Sequence, residues 1–384
     1  MGDDIRLGRI AGVPVGASWS LLVILALLAW TLGAGVLPAA APGAHAAIYW
    51  PVAVVTAVAF LACLLAHELA HALVARRRDV EVEGITLWMF GGMSRLRGDA
   101  HDARTERRIA LAGPVASAVL GVGFTAVALL LDAVRAPEVA VAATSWLGFV
   151  NMMLAVFNLL PAYPLDGGRV LRAAVWDRTG DLRRATMLAA SYGRRIGSAL
   201  IVLGVFLVLA GGGASGIWLA LLGWIIVDAA GAEAAGFELR HLLRGVLVAD
   251  VMTADPVSAP ADLTVEELIR HYVVTYRCSA FPVTGGGGSP VGLVTLSRIR
   301  DVPAEARAAT SLAEVAVPLD QVVTARPGDQ LLDLLARFTP ASGRRALVLE
   351  DGRLVGIVTA RDIDRMLEVA GVEVTQPGSL VRTR

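Results

Sequence analysis

Long apolar runs alternate with short arginine-rich segments through the first 235 residues, after which the chain takes on the mixed polarity of a soluble fold. Crossing the hydrocarbon core of a bilayer takes about 20 mostly apolar residues. Val15–Leu37, Ile48–Ala66, Ile109–Leu131 and Val139–Leu165 each reach that length without Asp, Glu or Arg. Ile196–Val227 is equally free of charge, but Gly211-Gly212-Gly213 divides it. It reads as two helices, Tyr192–Ala210 and Ala214–Ala235, joined by a turn, with a single tilted helix as the alternative. The β-branched and aromatic residues of Glu83–Phe90, followed by Gly91-Gly92-Met93, predict short strands at the membrane edge, or else a plain cytoplasmic loop. The pattern therefore predicts a polytopic α-helical membrane unit of about six transmembrane helices with a short β segment, over residues 1–236.

Arginine placement orients these spans. Arg6 and Arg9 precede the first. Arg76, Arg77 and Arg78 follow the second, and Arg95, Arg97, Arg104, Arg107 and Arg108 precede the third. Arg169, Arg172, Arg178, Arg183 and Arg184 follow the fourth, whereas Pro38–Ala47 has no Arg and Asp132–Glu138 has one. Both termini are thus expected in the cytoplasm. A signal peptide is the alternative for the first run, which exceeds the roughly 7–15 apolar residues typical of one. Hydrophobic residues make up 56% of the chain, against about 45–50% in soluble proteins. All the positive charge is arginine, the formal net charge is zero, and most acidic residues lie beyond Phe237. The composition suggests a high-GC bacterial source and hence a bacterial cell membrane. No basic tract with interleaved aromatics suggests nucleic-acid binding. Cys63 and Cys278 lie in different regions, so neither a disulfide nor a cysteine-based metal site is expected.

The chemistry gathers where the second and fourth apolar runs end. His67-Glu68-Leu69-Ala70-His71 is an HExxH motif, and residues four apart share a helix face, so both imidazoles can reach one zinc ion. Glu68 points about 100° away, beside that face, where it can take a proton from an activated water. Ionisable groups in a span are costly and are functional by default. The alternative is snorkelling at the interface, which does not require this spacing. Two histidines need a third protein ligand. Asn158-Leu159-Leu160-Pro161-Ala162-Tyr163-Pro164-Leu165-Asp166-Gly167-Gly168 closes the fourth run, and its prolines oppose a regular helix. Asp166 is expected on an unwound segment, on the same side as His71. A helix-terminating turn aspartate is the other reading.

These residues, together with Ala112-Gly113-Pro114, resemble the site-2 protease family of intramembrane metalloproteases, closely over Arg6–Arg172. The resemblance implies that His67, His71 and Asp166 bind zinc, one ion per protomer, and that Glu68 is the catalytic base. It also implies that Asn158 holds the substrate or polarises its carbonyl; a helix–helix hydrogen bond is the alternative. In similar proteins a segment such as that at Gly91 and Gly92 forms a sheet edge to which an extended substrate pairs. The implied partner is a single-pass membrane-protein substrate within membrane lipid, in regulated intramembrane proteolysis.

Beyond Phe237, Gly292-Leu293-Val294-Thr295 recurs as Gly356-Ile357-Val358-Thr359. Each copy follows an amphipathic helix candidate, Leu263–Tyr272 or Gln330–Phe338, and Asp250-Val251-Met252-Thr253 opens the first. Together they resemble a soluble α/β tandem CBS-domain pair over Val246–Ala370, with domains expected at 246–303 and 310–370 and a tail at 371–384. The resemblance implies an adenine nucleotide held by Thr359 and Asp362, or a structural module that forms a homodimer. Arg298 stands at the acidic position of the first copy, so one nucleotide site at most is expected. A CBS-gated channel or transporter and an inactive scaffold are the competing functions; the first should show internal symmetry, which is not evident.

Overall fold

A computed structural model describes residues 5–88, 91–97, 100–338 and 343–374, which form two compact units, 1–237 and 238–384. The expected residues Phe90 and 375–384 lie outside the described residues.

Among the described residues six helices are long and apolar enough to cross a membrane: Ser20–Ala40, Ala46–Arg76, Ala103–Ala133, Glu138–Asn158, Leu182–Leu209 and Gly213–Leu242. They are called the first to sixth spans here. Most of their apolar surface points outward, as at Val55, Val119, Leu129, Phe206 and Leu209, where lipid replaces water as the solvent. Inward positions are small: Ala53, Ala57, Ala72 and Ala75 of the second span and Ala110 and Ser117 of the third. Small residues allow the close backbone approach on which helix association in lipid depends. Gly197 faces Gly223 and Val227, and Gly204 faces Gly216 and Ala220, so the last two spans form an antiparallel pair. Gly211 and Gly212 therefore make the turn between two helices, and Gly213 opens the second.

The spans depart from the apolar runs at their ends. The first helix begins at Ser20, because Val13–Ala17 is a strand, β2, paired antiparallel with β1 (Ile5–Ile10). β2 also pairs parallel with β3 (Glu81–Trp88), and β3 pairs antiparallel with β4 (Gly91–Arg97), giving the order β1-β2-β3-β4. The membrane-edge β segment is thus a four-stranded sheet. Val13, Ile85 and Leu87 pack on Ala72, with Leu65 and Leu69 beside them, which seats the sheet against the HExxH turn of the second span. That span continues past the motif to Arg76, so the motif lies inside a helix and not at its end.

The fourth span stops at Asn158. Residues 159–165 form an irregular loop that includes a cis Tyr163–Pro164 bond. Asp166 is not on the unwound segment: it opens a separate helix, Asp166–Thr179, with Leu165 as its N-cap. The prolines do break the helix, but the break ends one residue earlier. A β-carbon on Gly168 would lie 2.5 Å from Tyr163 N, so the loop folds back directly on the helix it precedes.

In the second unit, β6 (Ala259–Pro260), β7 (Ala280–Thr284), β8 (Pro290–Thr295) and β9 (Val317–Pro318) form one sheet. β10 (Val323–Ala325), β11 (Ala346–Glu350), β12 (Arg353–Val358) and β5 (Thr253–Ala254) form the other. The copies exchange edge strands: β5 of the first copy pairs with β12 of the second, and β9 of the second pairs with β8 of the first. The repeated tetrapeptide now has a physical reason. Neighbouring strand residues face opposite ways. Leu293 and Ile357 meet Ala280 and Leu347 between the sheets, while Val294 and Val358 enter the separate core of each copy. Gly292 and Gly356 stand opposite Pro318 and Ala254 of the exchanged strands, and a β-carbon on Gly356 would be 2.5 Å from Met252 Sδ.

Candidate metal centre

His67 and His71 lie one helical turn apart on the second span, 3% and 5% exposed. Their Nε2 atoms are 3.2 Å apart. Asp166 Oδ2 is 3.2 Å from each, so three donor atoms from two distant segments form an equilateral triangle. A tetrahedral ion bonded at about 2.0–2.1 Å holds neighbouring donors about 3.3–3.4 Å apart. The triangle matches that edge within 0.1–0.2 Å, by the order of magnitude such bond lengths allow.

The shell around the triangle fixes its chemistry. His71 Nδ1 donates to the Ile109 carbonyl at 2.7 Å, and a carbonyl only accepts, so the neutral ring presents a bare lone pair at Nε2. His67 Nδ1 lies 2.8 Å from the Ser117 hydroxyl, which accepts from it in the tautomer that leaves Nε2 bare as well. Burial pushes the Asp166 carboxyl up, but when the imidazoles carry protons at Nε2 their hydrogen bonds and charges outweigh it and hold it at about 2. The carboxylate is therefore an anion at neutral pH. Two lone pairs and an anion converging on one point repel each other unless a cation stands between them.

The third span leaves room for that cation. A β-carbon on Gly113 would fall 2.5 Å from His67 Nε2 and closer still to His71 Nε2. Gly113 is thus a cradle that any side chain would fill, and the donor set and the space both fit a zinc ion.

Glu68 is half-buried on the flank of this face. β4 passes over it: a β-carbon on Gly92 would collide with Glu68 Cγ and lie 3.0 Å from Oε1. Gly91 pairs with Trp88 in the β3–β4 ladder, and β4 is an edge strand of its sheet. We expect Gly92→Ala to displace the Glu68 carboxylate without touching the triangle. Zinc content should stay at the wild-type level while cleavage falls by about 10²-fold or more, the scale of a mispositioned catalytic group; metal analysis beside a cleavage assay checks this.

The remaining expected residues sit elsewhere. Asn158 Nδ2 donates to Leu154 O at 3.0 Å within its own helix, and among the described hydrogen bonds it does not join the triangle. Thr359 and Asp362 lie in the second unit. Asp362 Oδ2 accepts from Thr359 N at 2.8 Å and Thr359 Oγ1 at 2.6 Å, and Oδ1 accepts from Thr253 Oγ1 at 3.1 Å. The Thr-x-x-Asp spacing thus closes the start of helix Ala360–Val374. In the first copy Thr295 Oγ1 accepts from Arg298 N at 3.5 Å. Ile109, Ser117 and the pair Glu106–Arg172 belong to no motif in the sequence. A serine in an apolar run was the one available signal among them.

Residues 55–145 and 132–204 match Peptidase family M50, and residues 248–305 and 312–368 each match the CBS domain. The chain is 47% identical over 378 residues to the protein named "Putative zinc metalloprotease Rip3" of Mycobacterium tuberculosis, across 98% of this chain and 96% of that one. The chain belongs to peptidase family M50, the site-2 proteases. Zinc metalloprotease MJ0392 of Methanocaldococcus jannaschii is 26% identical to this M50 chain over 369 residues, 96% of it and 97% of the relative. The solved Site-2 Protease from Methanocaldococcus jannaschii covers 60% of this chain and 94% of its own at 27% identity, with a TM-score of 0.42. This M50 member is a zinc metalloprotease and a multi-pass membrane protein, with a tandem CBS pair after its six apolar helices.

Proposed function

We propose that this protein cleaves single-pass membrane-protein substrates in or near their transmembrane segments, in regulated intramembrane proteolysis. The observation that carries the reading is the triangle of His67, His71 and Asp166 among membrane-spanning helices. These three residues hold the zinc. When bound, zinc supplies Lewis-acid polarisation of the scissile carbonyl and lowers the pKa of water at the site. Glu68 takes the proton from the attacking water and returns it to the leaving nitrogen. A helical substrate hides its amides, so it must unwind; the outer edge of β4, at Gly91 and Gly92, is suited to hold it extended by strand pairing. Asn158, at the mouth of the loop that leads to Asp166, is the candidate to hold the substrate carbonyl. The lysine-free, Ala-, Gly- and Arg-rich composition supports a bacterial cell membrane, and the arginine pattern supports both termini in the cytoplasm.

The CBS pair is the regulatory module in this reading, with an adenine nucleotide at Thr359 and Asp362 and homodimerisation as its means. A ribose hydroxyl would share the Asp362 carboxylate with the bonds it already accepts.

Zinc per protomer in detergent-purified wild type and Asp166→Ala tests the site. We expect near-stoichiometric zinc in the wild type and a clear loss in the variant. A folded wild type without zinc would refute the reading.

A further inference from the structure

Glu106 of the third span and Arg172 of the Asp166 helix form an ion pair that is almost wholly buried, at 0% and 3% exposure. Arg172 Nε donates to Glu106 Oε1 at 2.5 Å, and Nη2 bonds the same oxygen. Two N–H groups on one edge of a rigid guanidinium thus converge on a single acceptor, which fixes direction as well as distance. The guanidinium also lies 5.8 Å from the centre of the Tyr163 ring, in the loop just ahead of Asp166. Arg172 therefore ties down the Asp166 helix from within and the preceding loop from beside it.

Glu106 belongs to a wider pattern. The Ile109 carbonyl orients His71, Gly113 leaves the space between the two imidazoles, and the Ser117 hydroxyl meets His67. Positions 106, 109, 113 and 117 recur at three- and four-residue spacing, which is one face of a helix. That face touches both histidines directly and, through Glu106, grips Arg172 of the Asp166 helix.

We propose that Glu106 and Arg172 are positioning residues that set where Asp166 stands relative to the histidines, so that one face of the third span aligns all three donors. The proposal rests on the reading of Asp166 as a zinc ligand. A buried ion pair adds little to stability over apolar residues of the same volume, while removal of one partner strands a charge. Its distinguishing contribution here is geometric: it specifies a direction that apolar packing would leave loose.

The test is zinc affinity, by competition with a chromophoric chelator, in the full-length detergent-purified protein, together with thermal unfolding of the zinc-free form. The double variant Glu106→Leu/Arg172→Met removes both charges. We expect its zinc-free unfolding to stay near that of the wild type while zinc affinity falls by about 10–100-fold, the scale on which outer partners of metal ligands act. In an Asp166→Ala background the same double change should leave the residual affinity unaltered. Wild-type affinity in the double variant, or an equal loss in the Asp166→Ala background, overturns the proposal alone. Wild-type affinity in Asp166→Ala by itself overturns the ligand reading and the proposal with it. Should the double variant fail to fold, Arg172→Lys, which keeps the charge but not the two converging donors, decides: weakened zinc binding supports positioning, and unchanged binding overturns it.

Discussion

Glu68→Gln is expected to purify with the zinc content of the wild type and to lose cleavage by about 10²–10⁴-fold, the range for loss of a positioned general base. The amide has the shape of the carboxylate and none of its basicity, so packing under β4 at Gly92 is kept while proton transfer is not. None of the three donors belongs to Glu68, which is why metal and activity should separate in this variant. A cleavage assay with a membrane-protein substrate, run beside metal analysis, checks it. Full activity in a zinc-loaded Glu68→Gln would remove Glu68 from the chemistry.

The second large effect is expected of Gly113→Ala. One methyl group placed between the two Nε2 atoms takes the space an ion needs, so zinc should fall to a small fraction of the wild-type content and activity with it. Overpacking of this kind costs about 1–3 kcal/mol, so a folded protein is still expected. Gly121→Ala is the control. Its β-carbon would press on Met152 N at 3.0 Å and Gly148 O at 3.2 Å, in the contact between the third and fourth spans. Both variants crowd the same helix, but zinc should be lost only in the first. Equal zinc in the two would show that the space at Gly113 is not the metal's.

The spans were legible because lipid demands about 20 apolar residues of each, and few soluble sequences imitate that. Their ends were less so. Val15 and Ala17 are as apolar as the helix that follows, so the strand merges into the first run, and its pairing with β1 on one side and with Ile85 and Leu87 on the other separates them. The HExxH motif lies inside its helix because Ala72-Leu73-Val74-Ala75 continue the apolar helical run past it as far as Arg76. Pro161 and Pro164 announced an irregular backbone, but no single residue marks where the helix resumes, and it resumes at Asp166 itself.

At the site, the residue types and their spacing put His67 and His71 on one helix face with Glu68 beside it, and Asp166, which only the family resemblance implies as a ligand, stands at the same point in the structure. The orientation of His71 rests on a backbone carbonyl, which has no signature in a sequence. Glu106 and Arg172 are separated by 66 positions, and nothing in either neighbourhood names the other. Gly113 carries no signal of its own in the sequence; its reason is steric, and it becomes visible when the imidazoles are in place. In the second unit Thr-x-x-Asp was read as a ligand motif, although the same spacing is what a helix start requires.

The edge strands exchanged between the two CBS copies bear on how that module comes apart. Excising the first copy would take β5 from the second sheet, and excising the second would take β9 from the first. Neither half is a self-sufficient folding unit. The pair should melt in one cooperative step, and a truncation placed between the copies should yield fragments that recombine or aggregate instead of two small stable proteins.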